Sequence, residues 1–160
     1  MPLHCVSMPD LPLVGGCQCG QVRYTINALP YVFYVCHCTE CQRHTSSAFG
    51  ESLRVNTSDL RIDGNLKTFR RVSEAGSVRE GHLCPDCGVR IVHGTAASAM
   101  VNVKAGTLDD TAWLVPAGHI WVRSKQRFVA IGADELTYDR QPQDAYLALA
   151  ERWREMLAQN

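Results

Sequence analysis

Residues 31–44 read YVFYVCHCTECQRH: a strand-like apolar run that ends in three cysteines and then turns polar. Residues 31–35 are β-branched or aromatic throughout, which predicts a strand. Residues 39–47 predict a short helix capped by Thr39, with Cys41 in its first turn, where the local field favours thiolate. Between the two, Cys36, Cys38 and Cys41 form a CxCxxC knuckle. Thiolates spaced this closely sit on one tight turn and reach a single tetrahedral ion at about 2.3 Å.

Working outward, Cys17 and Cys19 form CxC, and Cys84 and Cys87 form CxxC; Cys5 is the one cysteine outside the clusters. Two clusters supply two sulfurs each and together close a four-thiolate structural site. The third supplies three and leaves a tetrahedral position unfilled, the feature that separates catalytic from structural zinc. The residue after each knuckle sets the pairing. Gly20 follows Cys19 and Gly88 follows Cys87, and glycine there lets backbone N–H groups turn toward the sulfurs, whereas Gln42 follows Cys41. Cys17, Cys19, Cys84 and Cys87 are therefore expected to hold a structural zinc, and Cys36, Cys38 and Cys41 a catalytic one, giving two zinc ions per chain. His37, His44 or Cys5 could instead complete the second set, and the site would then be inert.

A disulfide framework is the competing reading of eight cysteines in 160 residues. Residues 1–16 have no basic n-region, and Pro2, Pro9, Asp10 and Pro12 interrupt their apolar residues, so no signal-peptide core is expected. A cytoplasmic, reducing setting follows, in which clustered thiols serve as metal ligands. Lys plus Arg equals Asp plus Glu at 16 each, and no basic tract stands out, so a nucleic-acid partner is not expected. No apolar run approaches the roughly 18 residues of a membrane span.

Period-2 and β-branched runs over 21–26, 49–55, 59–62, 66–71, 89–93, 100–104 and 119–122 join 31–35 in predicting a mainly β, antiparallel fold of short strands. Asp63, Gly64 and Asn65 mark a turn between two of them. Near the C-terminus, Pro142 suits a helix start, and Tyr146, Leu149, Ala150, Trp153 and Leu157 recur as one apolar stripe. That stripe serves core packing or, alternatively, docks a partner in a non-catalytic interaction module. The organisation expected is an N-terminal extension over 1–12, a zinc-binding domain over 13–140 and a helix over 141–160 packed on that domain. His93 and His119 read as hydrogen-bonded or exposed histidines, and Asp109 and Asp110 as turn residues.

Three thiolates on a dipositive ion leave a net charge of −1, a poor hydroxide generator but a suitable holder of a fourth, exchangeable thiolate. A thiol substrate and an electrophile follow from that charge. The ordered segments Gly16-Cys17-Gln18-Cys19-Gly20-Gln21-Val22-Arg23-Tyr24, Cys36-His37-Cys38-Thr39-Glu40-Cys41-Gln42-Arg43, Cys84-Pro85-Asp86-Cys87-Gly88 and Lys104-Ala105-Gly106-Thr107-Leu108-Asp109-Asp110 resemble the glutathione-dependent formaldehyde-activating enzyme family, which includes centromere-protein-V-type proteins. The resemblance implies a zinc-bearing β-tent and the same division of cysteines. It also implies carbon–sulfur lyase chemistry, the joining of glutathione to formaldehyde as S-hydroxymethylglutathione, with arginines holding the glutathione carboxylates. Arg43, two residues after Cys41, is the substrate-binding residue expected on that basis. The chain departs from the family pattern at Ser46, where glycine is usual, at Leu83, where an aromatic residue is usual, and at Phe128, where tryptophan is usual.

Overall fold

The structure, a computed structural model, describes residues 5–73, 76–95 and 97–158. The first four residues of the expected N-terminal extension and the last two of the C-terminal segment lie outside the described residues. Strands dominate: β1 (Leu13–Gly16), β2 (Arg23–Ile26), β3 (Val32–Cys36), β4 (Gly50–Asn56), β5 (Leu60–Asp63), β6 (Lys67–Val72), β7 (Val78–Leu83), β8 (Arg90–His93), β9 (Met100–Val103), β10 (Gly118–Ile120) and β11 (Leu136–Thr137). Two α-helices accompany them, α1 (Thr39–Thr45) and α2 (Leu147–Ala158). Every strand expected from the sequence is present with ends within two residues of expectation. β1, β7 and β11 were not anticipated. Half of β1 is glycine, β7 (VREGHL) carries charge and a glycine where alternation is sought, and β11 has two residues.

The chain forms two compact units. The first comprises the described residues of 1–8, 31–52 and 113–160, and orders its strands β11-β10-β3-β4. Here the antiparallel expectation is corrected, since β10 runs parallel to both β3 and β11. The reason lies in β3, VFYVC, which is buried at every residue. A continuous apolar run without alternation is the signature of a strand covered on both faces, the usual setting of parallel pairing. Helix α2 covers it: the Phe33 and Trp153 rings meet edge to face at 6.3 Å between centroids, and Trp113 lies 6.2 Å from Trp153. The α2 stripe is Leu149, Ala150, Trp153 and Met156, all 0–1% exposed, so this apolar face is consumed by the core and not left for a partner.

Two further expectations about α2 are corrected. It begins at Leu147, five residues after Pro142, because the Asp144 carboxylate accepts from the Tyr146 and Ala148 N–H groups and closes the first turn there. Met156, and not the half-buried Leu157, completes the stripe.

The second unit comprises residues 9–30 and the described part of 53–112. It holds an antiparallel sheet β1-β2-β5 and an antiparallel series β4-β9-β8-β7-β6, in which β4 enters through its residues from Leu53 onward. The turn at Gly64 passes from β5 of one sheet to β6 of the other. The Lys104–Asp110 motif clamps the first sheet. Thr107 Oγ1 donates to the Lys104 carbonyl and meets the Tyr24 hydroxyl at 2.9 Å, and the Asp109 N–H reaches the Val14 carbonyl at 3.0 Å. The Arg23 guanidinium and the Asp109 carboxylate form a bidentate pair. Asp109, read as a turn residue, therefore also anchors β2, and the guanidinium holds its carboxyl below the usual carboxylate range.

Candidate metal centres and substrate groove

In the second unit, the Sγ atoms of Cys17, Cys19, Cys84 and Cys87 all lie within 4.8 Å of one another. Adjacent sulfurs are separated by 3.5 Å (Cys17 to Cys19) and 3.6 Å (Cys19 to Cys84). A tetrahedron with arms of about 2.3 Å has edges of about 3.8 Å, so the four sulfurs already stand near zinc spacing. β1 delivers the first pair and β7 the second, each at the end of its strand. Gly20 and Gly88 adopt φ of +82° and +77°, and their N–H groups close the knuckles onto the Cys17 and Cys84 carbonyls at 3.2 and 3.0 Å. A side chain at either φ would be strained, which is why glycine follows both knuckles. The turns then aim further amides at sulfur, as Val22 N–H does at Cys17 Sγ, 3.2 Å away.

The protonation balance of this cluster calls for a cation. Burial opposes ionisation of Cys17, but the Val22 amide and the thiols of Cys19, Cys84 and Cys87 outweigh it and lower the thiol to about 6. The Gln21 amide favours a Cys19 thiolate, yet desolvation and the neighbouring sulfurs push it up to about 12. The Val89 amide lowers Cys87 as well, so ionisation is favoured at some of the four sulfurs and opposed at Cys19, and a dipositive ion would favour thiolate at all of them.

In the first unit, the Sγ atoms of Cys36, Cys38 and Cys41 likewise lie within 4.8 Å of one another. Cys36 ends β3, and Cys41 sits in the first turn of α1. The helix cap is Cys38, not Thr39: its Sγ accepts the Cys41 N–H at 3.3 Å, so one potential metal ligand also terminates the helix. Hydrogen bonds from the Cys36 and Cys41 thiols hold the Cys38 thiol far below its ordinary range, while the same contacts and burial push Cys36 far up. Of the three residues, Cys36 and Cys41 are buried and Cys38 is partly exposed. Gly50 makes room beside them, since a Cβ there would lie 3.2 Å from Cys41 Sγ. Both donor sets therefore fit a thiophilic ion, and the two clusters are the groups that could hold a metal ion among the described residues.

His37, between Cys36 and Cys38, does not join the sulfurs. It is fully buried, and its ring Nε2 lies 2.9 Å from His119 Nδ1, whose Nε2 lies 2.6 Å from Glu135 Oε2. Burial, reinforced by the neighbouring His119 and Lys125, lowers the His37 imidazole to about 4. Its carbonyl accepts from Gln42 Nε2 at 2.8 Å and from the Ser124 hydroxyl at 3.1 Å. Gln42, noticed in the sequence only as a missing glycine, is thus a strut, held in turn by Gln126 at 3.0 Å. Of the two expectations for His119, hydrogen-bonded or exposed, the first holds, and Glu135 carries no signal in the sequence because no local pattern connects residues 37, 119 and 135.

A groove of about 700 Å³ runs along α1, lined among others by Thr39, Gln42, Arg43, Phe49, Gln126 and Phe128. Arg43 is exposed on its wall, and Phe128 is 77% exposed at its rim. Ser46, also lining the groove, adopts φ 51° and ψ 36° and ends α1, its N–H on the Arg43 carbonyl at 3.3 Å. The family's usual glycine is thereby explained as a left-handed helix cap, which serine adopts at a cost of roughly 1 kcal/mol.

No helix among the described residues is long and apolar enough to cross a membrane. Residues 12–124 match the family model described as glutathione-dependent formaldehyde-activating enzyme. No curated protein matches the chain. A crystal structure of a Rhodobacter sphaeroides protein is similar at 17% identity and a TM-score of 0.49, covering 79% of this chain and 99% of that one.

Proposed function

Since the chain belongs to the glutathione-dependent formaldehyde-activating enzyme family, we propose that it joins glutathione, or a similar small thiol, to formaldehyde or another small aldehyde in the cytoplasm. The thiol sulfur forms a bond to the carbonyl carbon, the C=O π bond breaks, and the thiol proton ends on the former carbonyl oxygen. The product is an S-hydroxymethyl thiol, and the reverse step is a carbon–sulfur lyase reaction. The observation that carries this reading is the unequal pair of clusters, four sulfurs in one and three in the other, with Cys38 of the three partly exposed.

Cys17, Cys19, Cys84 and Cys87 hold a structural zinc in this reading, and Cys36, Cys38 and Cys41 a catalytic one. Zinc at the second set would supply Lewis acidity and keep a substrate thiol ionised near neutral pH. The chain's own residues do the rest. Buried Cys36 and Cys41 fix two sulfurs, while Cys38 stands toward solvent, where an incoming thiol arrives. Arg43 offers a bidentate guanidinium to a glutathione carboxylate from the groove wall, and Gln42 is bound to the His37 and Ser124 carbonyls, which stiffens the loop beside it.

Exchange NMR with ¹³C-formaldehyde and glutathione tests this reading, because it measures adduct formation above the spontaneous rate. The zinc-loaded protein is expected to accelerate exchange, and Arg43→Ala to raise the KM for glutathione about 10-fold with kcat little changed, as loss of a ground-state contact does. No acceleration by the wild-type protein overturns the assignment, and an unchanged KM in the variant removes Arg43 from it.

A further inference from the structure

The chain from buried His37 through buried His119 to half-buried Glu135 belongs to neither cysteine cluster, yet it begins on the residue between two of the sulfurs. We propose that His119 and Glu135 are positioning residues: Glu135 acts through His119 to fix the His37 ring, and with it the Cys36–Cys38 segment on which the three sulfurs converge. This inference rests on reading Cys36, Cys38 and Cys41 as a metal site, and not on the reaction assigned to that site.

The geometry is specific. His37 is 0% exposed and His119 7% exposed, so neither ring has water to fall back on. With both rings neutral and Glu135 ionised, one proton arrangement satisfies both contacts. His119 Nε2–H donates to Glu135 Oε2 at 2.6 Å, and His37 Nε2–H donates to His119 Nδ1 at 2.9 Å. Glu135 is itself fastened, its Oε1 accepting the Gly132 N–H at 2.9 Å and its own N–H reaching the Gly132 carbonyl at 3.1 Å. The parallel pairing of β10 with β11 brings Leu136, and therefore Glu135, beside Gly118 and His119.

At its other end the chain meets a residue already held on its main chain. The His37 N–H reaches the Ile120 carbonyl at 2.9 Å, and its own carbonyl takes two donors. The contact to His119 is the one side-chain hydrogen bond of the His37 ring among the described residues, Nδ1 having none, while Phe49 packs against the ring edge to face at 5.6 Å. Without the His119 contact the ring can reorient inside the core, and the sulfurs on either side lose a fixed frame. Groups that orient metal ligands from behind typically contribute 10- to 100-fold in metal affinity.

Cadmium titration followed by ¹¹³Cd NMR tests the inference, with the four-cysteine cluster as an internal control of folding. Glu135→Ala and His119→Gln are each expected to weaken cadmium binding at the three-cysteine cluster by 10- to 100-fold and to leave the other resonance unmoved. Glu135→Gln, which keeps the size and an acceptor oxygen, is expected to weaken it only a few-fold, and it carries the test if the alanine variant loses both resonances. In a His119→Gln background, Glu135→Ala is expected to add nothing, because the carboxylate acts through the histidine. Nitrogen-15 NMR of the imidazoles should report the Nε2–H tautomer for His37 in the wild-type protein and a mixture in Glu135→Ala. Unchanged affinity and tautomer in Glu135→Ala, or full additivity of the two substitutions, overturns the proposal. None of these readouts requires turnover, so they stand even if the protein does not act on glutathione.

Discussion

Cys84→Ser is expected to leave a chain that does not fold. Cys84 is 0% exposed, at the end of a strand, and its sulfur lies 3.6 Å from that of Cys19, 65 residues earlier. A structural zinc contributes about 10–16 kcal/mol of apparent binding free energy, which is folding free energy because the site does not exist in the unfolded chain. That equals or exceeds the roughly 5–15 kcal/mol by which a whole domain is stable. Serine cannot stand in, since its hydroxyl does not ionise at neutral pH and would be left buried beside three thiols. Circular dichroism and zinc analysis of the purified variant check this expectation. A folded variant with native cooperativity would remove the structural role from the four-cysteine cluster.

Cys38→Ser is expected to do the opposite, lowering turnover by about 10³-fold or more while the fold survives. The reason is again local. Cys38 caps α1 by accepting the Cys41 N–H, and serine is among the best residues for that position. The cap is therefore kept, and the residue is partly exposed, so the substitution costs little beyond its contacts with the Cys36 and Cys41 thiols. What disappears is one of three sulfurs, and with it the ion at that site. One zinc per chain, a native unfolding transition and formaldehyde exchange at the spontaneous rate is the expected set of results. Loss of stability comparable to that of Cys84→Ser would contradict the division of labour between the clusters.

Most of this architecture is legible in the sequence because its strands alternate and its cysteines are clustered. The glycines after Cys19 and Cys87 pointed to the grouping in which the four sulfurs now stand, and the structure shows why, since both take positive φ to close the knuckles. What escaped the sequence is non-local. Parallel pairing of β10 with β3 depends on a partner more than eighty residues away in the chain, and the evenly buried run of β3 hints at it only once parallel strands are considered. The start of α2 escaped because an aspartate three residues before the helix, and not the proline, supplies the cap. The frame behind the three cysteines escaped for the same reason, as Gln42, His119 and Glu135 acquire their roles from contacts across the chain. Ser46 is the instructive case. The sequence marks it as a departure near the ligand, and the structure gives it a helix-capping conformation at the groove wall.

The central claim is that the two cysteine clusters are inequivalent metal sites, one closed and one open to a thiol. The measurement that tests it most directly is zinc content of protein purified without chelator, followed through a titration with glutathione. The expected result is two zinc ions per chain, of which one is released or exchanged as glutathione rises and the other stays bound. Two ions that both resist glutathione would mean that the three-cysteine site is closed, and the catalytic reading would fall with it.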